Sequence, residues 1–352
     1  MFGLNLSVAR ATWTVLFVCG LVVLVWLLRD VLFLLTVALF FSYMMAPVVG
    51  LVERRLPKSM EKARELALLL VYVGLLAFML TGVSWVVGKA LEQASGLAQR
   101  IPELAKNQEE MLLRFPLPGW LEPARASLLE WAQHLLEGGF EQFLPFLKTI
   151  SGQLLSGLGS VMPFLLVPVF AFFFLKDSHL LSGAILERFP VVRRAFIATI
   201  FYDLHGLLSQ YIRAVVLLSL ATFVSYELFF FTTGVPYSIL LSTMAAVLEF
   251  VPVVGPLSAG ITAVLVAALS GHEHVGWLIA FLVVYRLFLD YVLQPWLMSE
   301  GIELHPLLVL VGILAGEHLA GIAGMFLSIP VVAGLRIVYL RMEARARAEV
   351  VR

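Results

Sequence analysis

The chain has 352 residues, of which 61% are hydrophobic and 14% charged, and its formal net charge at pH 7 is +0. Soluble domains hold about 45–50% apolar residues, and burial cannot absorb the surplus because too few polar residues remain to cover the surface. The composition therefore excludes a soluble globular protein, a disordered chain and a nucleic-acid-binding protein. It predicts an all-α polytopic membrane protein of about eight membrane segments, since a bilayer requires ~20 apolar residues per helix.

Three apolar runs predict spanning helices and define a first segment, residues 1–87. They are Ala11 to Leu28, Val31 to Leu51 and Leu66 to Val87. The first run is longer than a signal-peptide core and no small-residue cleavage site follows it, so we expect it to be retained. The single cysteine, Cys19, lies in this run, which excludes an intramolecular disulfide.

The middle of the chain divides into two predicted parts. Residues 88–151 are polar, with apolar positions at helical spacing and several prolines, which predicts an extracytoplasmic amphipathic helical insert. This insert is either a cap that packs on the helix bundle or on neighbouring subunits, or a surface that binds other partners. Residues 152–213 are predicted to hold a fourth transmembrane helix, from about Leu154 to Leu175, and a cytoplasmic helical segment.

Basic residues in short loops give the predicted orientation, because Lys and Arg resist translocation across the membrane. They cluster after the second helix, after the fourth helix and in the tail, residues 336–352. This pattern predicts that all three regions are cytoplasmic, and that both termini of the chain are cytoplasmic as well.

Residues 214–335 form the predicted transport core, because basic residues almost disappear there while acidic residues remain. Arg286 is the only Lys or Arg in this stretch. Two helices of spanning length are each followed by an apolar segment that is interrupted in its middle. The helices run from Ala214 to Thr232 and from Val275 to Trp296, and the interruptions from Pro252 to Pro256 and from Gly316 to Gly321.

The arms of the interrupted segments extend about 15–24 Å, short of the ~30 Å hydrocarbon core. One interpretation is a pair of re-entrant hairpins of opposite orientation, the inverted repeat found in many secondary transporters. The other is a set of spanning helices with loops at the interruptions. Non-helical backbone at membrane depth usually lines a cavity, so the interruptions are candidate binding sites, with a kinked packing helix as the alternative.

Glu249, just before the first interruption, is the main candidate for a functional residue. A carboxylate among apolar neighbours costs about 2.5–3.5 kcal/mol on insertion scales, which indicates an ion or proton pathway. The alternative is a protonated or paired structural glutamate. Pro252, Gly255 and Pro256 would free backbone groups that hold a substrate or ion. Glu317 is the counterpart at the second interruption, with an interfacial position as its alternative.

Further polar residues of the core have simpler explanations. Arg286 and Asp290 are four residues apart on one predicted helix, which favours a local ion pair; the alternative is that Asp290 exchanges Arg286 for a substrate cation. Gln294 and Glu227 are candidates with weaker support. The sequence His272-Glu273-His274 lacks the spacing of a metal-binding pair, and we expect a solvated turn.

An ordered series of motifs runs from the end of the predicted fourth helix towards the C-terminus. The motifs are Phe173-Phe174-Leu175-Lys176-Asp177, Pro190 and Arg194, Gln210-Tyr211-Ile212-Arg213, Gly234-Val235-Pro236-Tyr237, Glu249-Phe250-Val251-Pro252-Val253-Val254-Gly255-Pro256, Leu304-His305-Pro306-Leu307, Gly316 to Gly324, and Ser328-Ile329-Pro330. This series, which covers about half of the chain, resembles the autoinducer-2 exporter (AI-2E) family of bacterial permeases.

The resemblance implies a multi-pass transporter of the bacterial inner membrane that is a homo-oligomer, uses no cofactor and is not an enzyme. Some family members are associated with export of autoinducer-2, and others with sodium or lithium extrusion in exchange for protons, so Na⁺ and H⁺ are the candidate coupling ions. Tyr211 and Arg213, in one of the matching motifs, are expected to be structural. Gln294 before Pro295, and Ala214-Val215 after Arg213, depart from the family pattern and leave the substrate open.

The leading hypothesis is a gradient-driven secondary transporter that exports a small polar solute, or exchanges a monovalent cation, by alternating access, with Glu249 as the coupling carboxylate. The sequence has no Walker motif, so we do not expect this chain to hydrolyse nucleotide. The alternatives are a Na⁺(Li⁺)/H⁺ antiporter and a non-transporting membrane scaffold. The expected partners are the lipid bilayer and the solute or cation, and no nucleic acid.

Overall fold

The computed structural model describes residues 6–57, 63–106, 162–177, 183–184, 186–298 and 304–350. Throughout these residues the regular secondary structure is helical, which confirms the predicted all-α class. In chain order the helices are α1 (Leu6–Leu27), α2 (Arg29–Glu53), α3 (Ala63–Phe78), α4 (Ser84–Lys106), α5 (Met162–Lys176), α6 (Val191–Thr233), α7 (Ser238–Leu248), α8 (Val254–Leu269), α9 (Val275–Phe288), α10 (Gln294–Leu297) and α11 (Pro306–Val350). Most of the predicted insert, from residue 107 onward, lies outside the described residues.

Five helical stretches are long and apolar enough to cross a membrane in the part of the chain that the structure describes. They are Val31–Glu53, Ala63–Arg100, Arg193–Thr233, Val275–Leu297 and Gly324–Arg347. Large apolar side chains cover the outside of several helices, such as Trp13 on α1 and Trp277 on α9, both 73% exposed. A soluble protein rarely exposes so much apolar surface, so these stretches make the chain a multi-pass membrane protein.

The first of two compact units contains α1, α2, the beginning of α3, and α5. Helices α2 and α5 pack along each other. At the ends of α3 and α5 that are predicted to be cytoplasmic, Arg64 donates a 2.9 Å hydrogen bond to the carbonyl of Leu175, and Nζ of Lys176 lies 3.6 Å from Oε1 of Glu65. Basic residues of the regions predicted to be cytoplasmic therefore also connect α3 to α5.

The second unit begins within α3, at Val73, and includes α4 and α6 to α11. A π-helical turn, Met79–Val83, leads from α3 into α4. Helix α6 packs on α7 and α11, and α7 also packs on α4 and α8. The 43 residues of α6 form one uninterrupted helix, which crosses the predicted segment boundary between residues 213 and 214. The buried core is apolar and includes Leu97, Phe230, Leu240, Leu241, Val266 and Leu278.

The first interrupted segment forms two short helices, α7 and α8, that pack against each other across the five residues Glu249 to Val253. We call α7, these five residues and α8 the first hairpin. The break begins three residues earlier than the prolines predicted. Gly255 and Pro256 lie in the first turn of α8, where proline is tolerated because that turn needs no N–H donor.

The second interrupted segment reverses direction although its backbone stays helical over almost its whole length. A Cβ built on Gly316 would overlap the carbonyl of Gly324, and one built on Gly312 would lie 3.7 Å from Cβ of Ser328. In a straight helix, residues sixteen positions apart would be about 24 Å apart along the axis. The chain therefore folds back near Gly321, which has a left-handed φ of 59°. We call residues 306–335 the second hairpin.

Candidate functional site

Three charged side chains from different places in the second unit meet beside the break of the first hairpin. Glu249 directly follows α7, Arg286 is on α9, and Asp290 is in the π-helical turn Leu289–Leu293 that continues α9. Nη1 of Arg286 donates to Oε1 of Glu249 at 3.3 Å. The same guanidinium binds Asp290 through two contacts, Nε to Oδ2 at 2.8 Å and Nη2 to Oδ1 at 2.6 Å. We call these three residues the charged triad.

The two carboxylates hold Arg286 with unequal strength. The contact with Asp290 is short and bidentate, the arrangement in which a guanidinium binds a carboxylate best. The contact with Glu249 is a single, longer hydrogen bond. The Glu249 side chain is only 9% exposed, whereas those of Arg286 and Asp290 are 38% and 37% exposed. Arg286 is thus anchored on Asp290 and bridges to a nearly buried glutamate.

A second line of hydrogen bonds reaches Glu249 from α6. The hydroxyl of Tyr285 donates to Oγ1 of Thr222 at 3.2 Å, and Thr222 donates to Oε2 of Glu249 at 3.3 Å. Thr222 is 2% exposed. Each oxygen of Glu249 therefore has a partner, and the carboxylate ties the break of the first hairpin to both α6 and α9.

The break itself contains strained backbone. Val253 has φ 65° and ψ −59°, and the N–H of Val254 bonds the carbonyl of Pro252 at 2.7 Å. These values define a classic γ-turn, which is rare and strained, especially at a β-branched residue. Such conformations cost about 1–3 kcal/mol and concentrate at ligand-binding and switch regions. The strain therefore marks the break as a candidate for functional movement.

Close backbone packing follows the turn. A Cβ built on Gly255 would overlap the carbonyl oxygen of Leu248, so no residue with a side chain fits there without movement. Gly255 thereby brings the start of α8 against the end of α7. The role predicted for Gly255 in holding a substrate or ion stays a prediction.

The two hairpins meet at aromatic rings. Phe250, in the break of the first hairpin, packs edge-on against Phe326 of the second, with ring centroids 5.5 Å apart. Tyr211 of α6 lies beside the same ring, 6.4 Å from its centroid, and its hydroxyl donates to the carbonyl of Phe326 at 3.5 Å. Phe326 therefore joins the break of the first hairpin to α6.

The structure brings together some of the predicted site residues and separates others. Glu249, Pro252, Gly255, Asp290 and Arg286 lie at or beside the break. The remaining predicted residues have these places: Pro256 is half-buried in α8, Gln294 is half-buried at the start of α10, Tyr211 is buried on α6, Arg213 is exposed on α6, and Glu317 is exposed near the turn of the second hairpin.

The local ion pair predicted for Arg286 and Asp290 is present, and Glu249 extends it into a triad. Thr222 and Tyr285 were missed by sequence reasoning, because nothing in an apolar helix marks one threonine or tyrosine as a partner of a distant glutamate. Glu227 accepts hydrogen bonds from Ser238 at 3.2 Å and from Ser242 at 2.7 Å, apart from the triad.

The His272-Glu273-His274 sequence lies in the turn between α8 and α9. The two imidazole rings are 6.0 Å apart, and burial together with His274 lowers the pKa of His272, with Glu273 opposing the shift. Within the described residues, no three His, Cys, Asp or Glu side chains are grouped so that they could hold a metal ion.

The family of the chain follows from a comparison of its sequence with the profiles of known protein families. The profile described as AI-2E family transporter matches residues 14–344. The chain belongs to this family. Membership confirms the resemblance seen in the motifs, and it also confirms that the protein is a transporter and not an enzyme.

Curated relatives in the AI-2E family carry names of the same kind. "Putative transport protein YrrI" of Bacillus subtilis is 25% identical over 331 residues, which cover 90% of this chain and 89% of that protein. "Putative permease PerM" of Escherichia coli is 25% identical over 285 residues, covering 77% of this chain and 76% of that protein. A "Putative transport protein" of Methanothermobacter thermautotrophicus is 27% identical over 291 residues, covering 81% and 80%.

Proposed function

We propose that this AI-2E transporter is a gradient-driven secondary exporter of a small polar solute such as autoinducer-2, and that it works by alternating access. The observation that carries the proposal is the charged triad beside a strained chain break, at the place where the two hairpins meet. Charged residues inside apolar membrane segments are expensive and typically mark substrate or ion pathways. A strained break supplies the mobile element that such a pathway needs.

In this proposal, Arg286 exchanges its hydrogen bond to Glu249 for one to the solute during transport and stays bound to Asp290. The long contact with Glu249 is the one that a solute can replace, because the bidentate contact with Asp290 is shorter and stronger. A polar solute would donate to Glu249 and accept from Arg286. Glu249 would then carry the coupling charge, since it is the carboxylate whose partner changes.

The hairpins are proposed to enter the membrane and return to the side from which they came. Helices α7 and α8 have 11 and 16 residues, which correspond to about 16 and 24 Å and fall short of a ~30 Å hydrocarbon core. With the first hairpin entering from outside and the second from the cytoplasm, they form an inverted repeat. With this arrangement both termini are cytoplasmic, and we propose, as the family resemblance implies, a homo-oligomer in the inner membrane.

The test is transport by the full-length protein in proteoliposomes, with autoinducer-2 efflux and sodium flux measured in parallel. Glu249→Gln keeps the size and one hydrogen-bond acceptor of the side chain but removes its charge. We expect it to reduce proton-gradient-driven efflux at least roughly tenfold, the effect of losing one charged hydrogen bond. Glu273→Gln is the matched control, because Glu273 is exposed in the turn between α8 and α9, apart from the charged triad.

Equal efflux by the two variants would remove Glu249 from the mechanism. Sodium exchange without autoinducer-2 efflux would replace the exporter by a cation antiporter. Absence of both fluxes in the unaltered protein would overturn the proposed substrate classes.

A further inference from the structure

A groove of about 650 Å³ lies outside the site already described, between α6 and the last part of α11. Its polar side chains are Tyr202, Asp203, His205, Gln210 and Arg341. Its apolar wall is formed by Leu207, Ile337 and Leu340, and Gly206 leaves part of the wall open. Asp203 and Arg341 form an ion pair in the lining of the groove, with Nε of Arg341 2.7 Å from Oδ2 of Asp203.

In the proposed arrangement, in which the second hairpin turns back inside the membrane, the groove lies on the water side. Helix α6 has 43 residues and is therefore about 64 Å long, roughly twice the ~30 Å hydrocarbon thickness. The charged half of α6 carries Arg193, Arg194 and Asp203, and the last part of α11 carries several arginines. These charges keep both helix ends out of the hydrocarbon, so the groove is open to solutes dissolved in water.

The same pair of helices connects the groove to the charged triad. Moving inward along the contact between α6 and α11, Asp203 and Arg341 are followed by Leu204 against Gly334, and then by Tyr211 against Phe326. Phe326 touches Phe250, which follows Glu249 in the chain. We call this line of contacts the α6–α11 seam. A solute in the groove lies at its outer end.

The chemistry of the groove suits a small polar solute without net charge. Asp203 and Arg341 neutralise each other, so the groove attracts an ion of neither sign strongly. Together with Gln210 and Tyr202 they provide hydrogen-bond donors and acceptors side by side, next to an apolar wall. Hydroxyl and carbonyl groups of a solute could bind to these partners.

The ion pair can be opened by such a solute. The side chains of Arg341 and Asp203 are 46% and 22% exposed, and ion pairs that water reaches contribute little to stability. Replacing the pair by hydrogen bonds to a solute therefore costs little. Opening it would also loosen the outer end of the α6–α11 seam.

We propose that this groove is the loading site at which the exported solute binds from the cytoplasm before it reaches the charged triad. The inference rests on the proposed function, since it assumes export. Asp203 and Arg341 bind the solute, and their separation links loading to opening of the α6–α11 seam.

Two glycine-to-phenylalanine variants, one in the groove and one outside it, test this proposal. A Cβ built on Gly206 meets no atom within 4 Å, so Gly206→Phe would fill the groove without a backbone clash. Gly276 on α9 has equally open surroundings, so Gly276→Phe is the matched control. Efflux of autoinducer-2 from proteoliposomes is measured against its concentration on the cytoplasmic face. We expect Gly206→Phe to raise KM about tenfold with the maximal rate retained, which is the signature of lost binding.

A second measurement does not depend on transport. In a Cys19→Ser background, Ala344→Cys places a thiol in the groove wall, and autoinducer-2 should slow its labelling by a membrane-impermeant reagent. Identical KM values for the two glycine variants, or labelling that autoinducer-2 does not slow, would overturn the loading site. Protection of Ala344→Cys in a protein that shows no efflux would retain the groove and reject the proposed export.

Discussion

At the scale of single residues, the charged triad explains how three ionised groups are tolerated inside an apolar protein. Arg286 contacts two carboxylates at once, and Thr222 completes the hydrogen bonding of Glu249. Breaking a buried pair leaves an uncompensated charge, which costs more than the pair itself contributes. During transport, a residue of the triad should therefore exchange one hydrogen-bond partner for another and not simply lose a partner.

Arg286→Lys tests whether the shape of the guanidinium matters as well as its charge. Lysine carries a point charge and cannot bind Asp290 in bidentate fashion while also reaching Glu249. We expect the variant to fold and to transport roughly tenfold more slowly, since one charged hydrogen bond contributes about 1.5–3 kcal/mol. Efflux from proteoliposomes measures the rate. Arg213→Lys is the control, because Arg213 is exposed on α6, and equal rates in both would show that charge alone suffices.

At the scale of helices, both hairpins depend on backbone contact at glycine. Gly255 lies against the carbonyl of Leu248, and Gly316 and Gly324 touch each other across the second hairpin. Side chains at these positions would push the arms apart. Both hairpins therefore depend on the absence of a side chain at these three glycines.

Gly255→Ala tests the closeness of the first hairpin. The added methyl group would overlap a backbone oxygen, which cannot move like the end of a flexible side chain. We expect a loss of about 1–3 kcal/mol in stability, typical of overpacking, seen as a lower melting temperature in detergent.

The control for this change lies one turn further along α8. At Gly260 a Cβ would meet its nearest neighbour, Cδ1 of Leu282, at 4.0 Å, so Gly260→Ala should be neutral or stabilising by about 0.5–1 kcal/mol. Equal melting temperatures for the two alanine variants would contradict the close contact at Gly255.

Three features could be predicted from the sequence: the helical class, the Arg286–Asp290 pair and the existence of both interruptions. They depend only on composition and on residues that are close together in the chain. The position of the first break was wrong by three residues, since Pro256 fits into the first turn of α8 and does not end a helix. The bonds from Thr222 to Glu249 and from Tyr211 to Phe326 join distant parts of the chain. Local patterns carry no information about such contacts.

At the scale of the whole second unit, the α6–α11 seam connects the aqueous groove with the charged triad. Because α6 is a continuous helix, we expect movement at Asp203 to reach Tyr211 and Thr222. Because the last part of α11 continues directly from the second hairpin, we expect movement at Arg341 to reach Phe326. Alternating access through this seam requires that the two helices separate during each cycle.

A disulfide across the α6–α11 seam tests this requirement. A Cβ built on Gly334 would lie 3.2 Å from Cδ2 of Leu204, so the two positions face each other across the seam and are the pair chosen for an engineered disulfide. In a Cys19→Ser background, we expect the oxidised Leu204→Cys/Gly334→Cys protein to lose efflux and to regain it on reduction. The single-cysteine variants should transport under both conditions. Full efflux by the cross-linked protein would show that the seam stays closed throughout the cycle, because a covalent link at Leu204 and Gly334 prevents the helices from separating there.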